Sequence, residues 1–121
     1  ENSYANCSIS LRFDTKGVAD GIVREPGKSV STPSLLLEKE TLDNVTKVEG
    51  TYLNFKNSKI RGTKFLAGEE TRMASFVGCT FENSQLEFEA KGPQVIFVFK
   101  DNTGELPVSG PGLARKTGAA R

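Results

Sequence analysis

The sequence predicts a mainly β, single-domain protein with a short solenoid at its centre, and three observations support this class. Its 121 residues suit one domain with one core. Eight Phe, two Tyr and no Trp accompany many Val, Ile and Thr residues, a composition that favours strands. Between residues 46 and 88, a small residue recurs two positions before an apolar one about every five residues. That period fits neither a helix nor a strand and indicates short stacked repeats.

The first third of the chain is predicted to contain strands joined by turns. Apolar and polar residues alternate over 5–13, which indicates a half-buried strand, and 14–17 have turn composition. Residues 21–24 are predicted to form a second strand. Residues 33–44 fit two interpretations, a short helix that begins at Pro33 or an irregular strand.

The central repeats can be written as seven five-residue units, in which the first and third residues are expected to point inward. The units are TKVEG, TYLNF, SKIRG, TKFLA, ASFVG, CTFEN and SQLEF. Gly50, Gly62, Gly78 and Asn83 fall two positions after the apolar centres, where a corner must turn, and both residue types tolerate the backbone angles that a corner needs. A spacing of 21 residues also relates Ile60 to Phe81, Phe65 to Leu86 and Phe76 to Phe97, as one coil would.

These units resemble the pentapeptide-repeat family over residues 46–88. The resemblance implies a right-handed quadrilateral β-helix, with four short sides in each coil. The family includes proteins that imitate a DNA rod and occupy type II topoisomerases, so the resemblance implies a DNA mimic as one alternative function. Such a mimic needs a long acidic surface, whereas residues 46–88 carry six basic and five acidic groups.

A plain antiparallel sheet is the alternative for the same region. Leu86 and Phe88 alternate with charged residues, and after a Gly-Pro turn the run 95–99 is apolar throughout. A strand, a turn and a buried strand form a hairpin. An antiparallel β-sandwich or barrel is therefore the second fold prediction.

The two cysteines, Cys7 and Cys79, both fall at positions expected to point inward. If they meet, the disulfide would close a loop of about 70 residues and stabilise the fold by about 4 kcal/mol in the chain-entropy model. It would also indicate an oxidising compartment, such as the periplasm or the outside of the cell. If they do not meet, both are small buried side chains. The sequence does not otherwise indicate a compartment.

The sequence contains no His, which removes the commonest general base and a common metal ligand. We expect no catalytic residues, no metal and no cofactor, and therefore no enzyme. The net charge of +1 gives no reason to expect nucleic acid as a partner, and no motif indicates a small-molecule substrate. No apolar run approaches the length of a membrane span.

The sharpest surface hypothesis concerns four basic residues, Lys56, Lys59, Arg61 and Lys64. They are expected to point outward on one face of the stack and to bind an anionic or acidic surface. The leading function is therefore a non-catalytic protein-interaction module. A self-assembling structural protein is a further alternative, because an open solenoid end invites stacking on a copy of itself. The expected partner is thus another protein or the chain itself.

The end of the chain is predicted to lie outside the core. Residues 1–106 form the expected domain, and 107–121, rich in Pro, Gly and Ala, are predicted to be a flexible tail. Arg115, Lys116 and Arg121 make this tail basic.

Overall fold

The computed structural model describes residues 3–13, 19–25, 28–32, 36–90 and 92–117 and shows a β-solenoid of about four turns. The strands of the described residues form three sheets that are mostly parallel, and a full turn supplies one strand to each sheet. The mainly β prediction is confirmed, and the sandwich or barrel alternative is not. The expectation of four sides in each coil is wrong, because the described turns have three.

Sixteen strands and one 3₁₀ turn follow one another along the described residues. The strands are β1 (Ser3–Ala5), β2 (Ser8–Phe13), β3 (Ala19–Glu25), β4 (Lys28–Thr32), β5 (Leu36–Glu38), β6 (Thr41–Asp43), β7 (Lys47–Gly50), β8 (Tyr52–Lys56), β9 (Lys59–Arg61), β10 (Lys64–Ala67), β11 (Met73–Val77), β12 (Thr80–Glu82), β13 (Gln85–Phe88), β14 (Val95–Lys100), β15 (Val108–Ser109) and β16 (Lys116–Thr117). The 3₁₀ turn spans Leu113–Arg115.

We call the three sheets A, B and C. Sheet A has the order β1-β6-β9-β12, and sheet C has the order β16-β14-β11-β8-β5. Sheet B has the order β15-β13-β10-β7-β2-β3-β4, in which β3 and β4 pair antiparallel and extend the sheet beyond the first turn.

The strand register tests the predicted coil spacing. Ile60 pairs with Phe81 and Phe65 with Leu86, as the 21-residue spacing predicts. The third predicted pair is wrong, because Phe76 pairs with Phe99 and Phe97 pairs with Ala74. The segment between β13 and β14 is longer than the one between β10 and β11, and it shifts the register by two residues.

The core is built from the apolar centres of the repeat, as predicted. All seven centres are buried, and they are Val48, Leu53, Ile60, Phe65, Phe76, Phe81 and Leu86. Phe76 lies at its middle, with ring centroids 5.0 Å from Phe65, 5.4 Å from Phe81 and 5.7 Å from Phe55. Edge-to-face and offset aromatic pairs at such distances add to the stabilisation from apolar burial.

The corners explain the small residues that precede the centres. Gly50, Gly62, Gly78 and Asn83 all have positive φ, which confirms the predicted corner positions. The residue after a corner often has a small, buried side chain that forms hydrogen bonds with the backbone of its own turn and of the preceding turn. Ser84 Oγ accepts a hydrogen bond from the backbone N–H of Thr63 at 3.1 Å and donates one to the carbonyl of Glu82 at 3.1 Å.

The inward pattern of the small residues holds for most units. Ser58, Thr63, Ala74, Cys79 and Ser84 are buried, whereas Thr46 is exposed and Thr51 is half-buried.

The first third of the chain differs from its prediction in two places. The single strand predicted over 5–13 is split into β1 and β2 by a corner at Asn6, whose φ is +54°. Within the ambiguous stretch 33–44, the described part forms the strands β5 and β6 instead of a helix. Residues 21–24 lie within β3, as predicted. The predicted turn at 14–17 and residues 33–35 lie outside the described residues.

Residues 107–117 pair with the solenoid, whereas the sequence predicts that the domain ends at 106 and a flexible tail follows. The strand β15 pairs with β13, and β16 pairs with β14. Arg115 is only 7% exposed. Two-residue strands carry almost no periodic signal, which is why the sequence pattern misses them. Residues 118–121, including Arg121, lie outside the described residues.

The cysteines are free thiols, so the predicted disulfide alternative is wrong. Cys7 follows β1 and Cys79 precedes β12, which are the two outermost strands of sheet A. Three strand spacings separate these strands, about 14 Å in all, whereas a disulfide needs Cα atoms within about 7 Å. Both side chains are buried, and this burial raises the pKa of each thiol above its ordinary value.

Candidate functional site

The four basic residues predicted to share one face are distributed over all three sheets. Lys59 and Arg61 point outward from sheet A, Lys64 points outward from sheet B, and Lys56 lies at the end of β8 in sheet C. The chain passes two corners between Lys56 and Lys64, at Asn57 and Gly62, and each corner turns it onto another side.

Two of these cations already have acidic neighbours. Arg61 donates from Nε and Nη2 to the two carboxylate oxygens of Asp43, at 3.1 and 2.9 Å. The hydrogen bonds from Arg61 are the main cause that lowers the pKa of Asp43, and the same contact raises the pKa of Arg61. Lys64 Nζ lies 3.0 Å from Glu87 Oε1. These pairs reduce the positive charge available to an acidic partner.

The outer face of sheet A is a shallow groove between two rows of polar side chains, with a volume of about 320 Å³. One row contains Thr41, Lys59 and Thr80, and the other contains Asp43, Arg61 and Glu82. Acidic and basic groups alternate along the second row. With two basic and two acidic side chains in its rims, the groove is electrically balanced.

The outer face of sheet B is also covered by paired charges. Arg12 Nη2 lies 3.2 Å from Glu49 Oε2 and 3.4 Å from Glu70 Oε2. Lys47 Nζ lies 3.7 Å from the same oxygen of Glu49. Exposed ion pairs of this kind contribute little free energy and suit a hydrated surface.

The outer face of sheet C has a different composition. In register across the strands, its outward residues form three rows. The first row is Tyr52, Met73, Ile96 and Thr117; the second is Leu36, Asn54, Ser75 and Val98; the third is Glu38, Lys56, Val77 and Lys100. Most of the outward apolar side chains of the described residues lie on this face, which we call the C face.

The most exposed large apolar residue on the C face is Ile96, at 52% exposure, followed by Leu36 at 39%. Met73, Val77 and Val98 are half-buried. An exposed aliphatic side chain is ordinary when it stands alone, but a contiguous apolar patch on a sheet marks an interaction surface.

The sequence contains a signal for this face that lies outside the five-residue pattern. Residues 95–99 are apolar without interruption, yet successive residues of a strand point to opposite sides. Val95 and Phe97 fill the core, so Ile96 and Val98 must point outward. A continuous apolar run in a strand therefore predicts an apolar outer face as well as a buried one.

The described residues place no three His, Cys, Asp or Glu side chains together as a metal-binding group. None of the described residues forms a helix with the length and apolar character that crossing a membrane requires.

Comparisons of the chain with protein-family models, with curated proteins and with solved structures found no match. The pentapeptide-repeat resemblance therefore rests on residues 46–88 alone, whereas the solenoid fold rests on the structure.

Proposed function

We propose that this chain is a non-catalytic protein-interaction module that binds its partner on the C face. The observation that carries the proposal is the contrast between faces built from the same repeat. The outer faces of sheets A and B carry ion pairs, whereas the C face carries Met73, Val77, Ile96 and Val98.

The physical argument is the burial of apolar surface. Covering the exposed half of Ile96 would favour association by about 1 kcal/mol, and its aliphatic neighbours would add to this. Lys56 and Lys100 at one side of the face would set the orientation and the on-rate more than the affinity. This role uses one of the four basic residues of the sequence hypothesis, Lys56.

The alternative of a topoisomerase-binding DNA mimic has less support. A mimic of DNA needs a run of unpaired acidic groups. On sheets A and B, Asp43, Glu49 and Glu87 each lie within an ion-pair distance of a basic side chain. We therefore keep protein binding as the proposed function.

The test is an affinity capture from the source cell with three versions of the chain. The variant Ile96→Lys places a charge in the middle of the apolar patch, and Leu66→Lys is the matched control. Leu66 is also an aliphatic residue that points outward, but from β10 in sheet B. Circular dichroism and the melting temperature establish that both variants are folded.

We expect the wild type and Leu66→Lys to retain the same bound protein and Ile96→Lys to lose at least nine tenths of it. Equal retention by Ile96→Lys contradicts the proposal. If Leu66→Lys loses as much of the bound protein as Ile96→Lys does, the binding is not specific to the C face. That result also contradicts the proposal.

A further inference from the structure

We propose that the partner on the C face is a second copy of this chain, related by a twofold axis that runs parallel to the strands and passes between β8 and β11. This inference rests on the proposed function, because it uses the same face. It follows from the order of the outward side chains.

The geometry of such a dimer is simple. A twofold axis in the plane between two packed sheets, parallel to their strands, keeps each residue at its position along the strand and reverses the strand order. The strand β5 then faces β14 of the other copy, and β8 faces β11. Residues of one row therefore meet residues of the same row.

The third row is complementary in charge under this operation. Glu38 on β5 faces Lys100 on β14 of the second copy, and the symmetry forms this pair twice. Both side chains are exposed in the single chain. Lys56 faces Val77, where its aliphatic stem can lie against the valine while the ammonium group reaches water.

The second row and the Tyr52–Met73 pair of the first row match by polarity. Leu36 faces Val98, and Asn54 faces Ser75, so an apolar pair and a hydrogen-bonding pair alternate along the second row. Tyr52 faces Met73 in the first row, a sulfur–aromatic pair. None of these pairs sets a charge against a like charge.

The other in-plane twofold axis, perpendicular to the strands, does not give this match. Each strand would then face the same strand of the second copy, with its first-row residue against the third-row residue. Lys100 would then lie against Ile96, and Lys56 against Tyr52, with no acidic group opposite either lysine. The residue order thus selects the axis parallel to the strands.

The size of the face predicts a weak dimer. Four strands about 4.8 Å apart and five residues long give a footprint of about 300 Å². Stable interfaces bury about 800 Å² on each partner. We expect a dimer that forms reversibly at high concentration.

Sedimentation velocity over a range of protein concentrations tests this arrangement, with the single variants Glu38→Lys and Lys100→Glu. In a dimer of either single variant, two pairs of like charges face each other. Each variant is therefore expected to weaken the dimer at least tenfold. An equal mixture of the two variants is expected to regain wild-type association, because each mixed dimer has two opposite-charge pairs. The controls are Glu82→Lys and Lys59→Glu, which change exposed charges on sheet A and are expected to associate as the wild type does.

A wild type that stays monomeric up to millimolar concentration overturns the inference, as does a mixture that remains monomeric. The proposed function is tested apart from this result. If the wild type is monomeric but Ile96→Lys loses a different captured protein, the second copy is excluded and the C face remains the binding face. If Glu38→Lys leaves association unchanged and Ile96→Lys leaves capture unchanged, both proposals fail.

Discussion

At the scale of single residues, each corner needs a left-handed backbone and space beneath the turn above it. Gly78 has φ of +67°, and a Cβ atom built there would collide with Asn57 Oδ1 of the preceding turn. We expect Gly78→Ala to lower the free energy of unfolding by about 1–2 kcal/mol from the backbone conformation alone. The collision with Asn57 adds to this loss. Urea unfolding at equilibrium measures the change.

The same substitution in an Asn57→Gly background separates the two causes. Asn57 also has positive φ, so glycine fits there without strain, and it removes the colliding oxygen. Gly78→Ala should cost less in that background, by the part that the collision contributes. A Gly78→Ala variant as stable as the wild type would show that this corner does not have the described conformation.

The residue pattern predicted the corners and the core because both are local properties of the sequence. Positive φ favours Gly and Asn wherever it occurs, and apolar centres are buried whatever the number of sides. The pairing of Arg115 with carbonyls up to 48 residues away has no such local signal.

At the scale of elements, the end of the solenoid is fastened by Arg115. Its guanidinium donates to four carbonyl oxygens: Pro93 at 2.9 Å, Gly68 at 2.9 Å, Glu89 at 3.2 Å and Ala67 at 3.3 Å. These carbonyls belong to the segments that lead from sheet B to sheet C in two successive turns. One side chain therefore connects β16 to the two turns before it.

We expect Arg115→Met to lower the free energy of unfolding by about 3 kcal/mol, because hydrogen bonds to charged groups contribute about 1.5–3 kcal/mol each and buried carbonyls would lose their donor. Lys116→Met is the matched control: it removes a neighbouring charge whose ammonium lies 5.0 Å from the Phe97 ring centroid. That variant should lose less than about 1 kcal/mol. Urea unfolding compares them, and equal losses would mean that Arg115 acts only through its charge.

The number of sides shows why the sequence could not determine the whole architecture. Two residues of β8, Leu53 and Phe55, point inward, whereas β9 has one. The side formed by β8 is therefore longer than the side formed by β9. Leu42 pairs with Ile60 and Leu37 with Phe55, 18 residues apart, so three sides of unequal length complete a turn. The sequence prediction counts Leu53 as the only inward residue of this side. With one five-residue unit for each side, all sides are equal and a turn needs four of them.

At the scale of the whole molecule, the described outer faces of sheets A and B carry ion pairs, whereas the C face carries Met73, Ile96 and Val98. The sequence hypothesis placed binding on a basic row. The repeat spacing indicates which residues point outward, but it does not indicate which of the three sheets each residue belongs to. Once the three sides are known, Lys59 and Lys64 belong to different surfaces. The run 95–99 indicates an apolar outer face, but only the strand register shows that Met73 lies beside Ile96 on that face.

A concentration series of ¹H–¹⁵N correlation spectra of the isotope-labelled chain tests whether the C face is the interaction face and binds a second copy. We expect progressive shifts of amide signals in β5, β8, β11 and β14, and unchanged signals in β9 and β12 of sheet A. Spectra that do not change with concentration, or shifts centred on sheet A, would contradict this account.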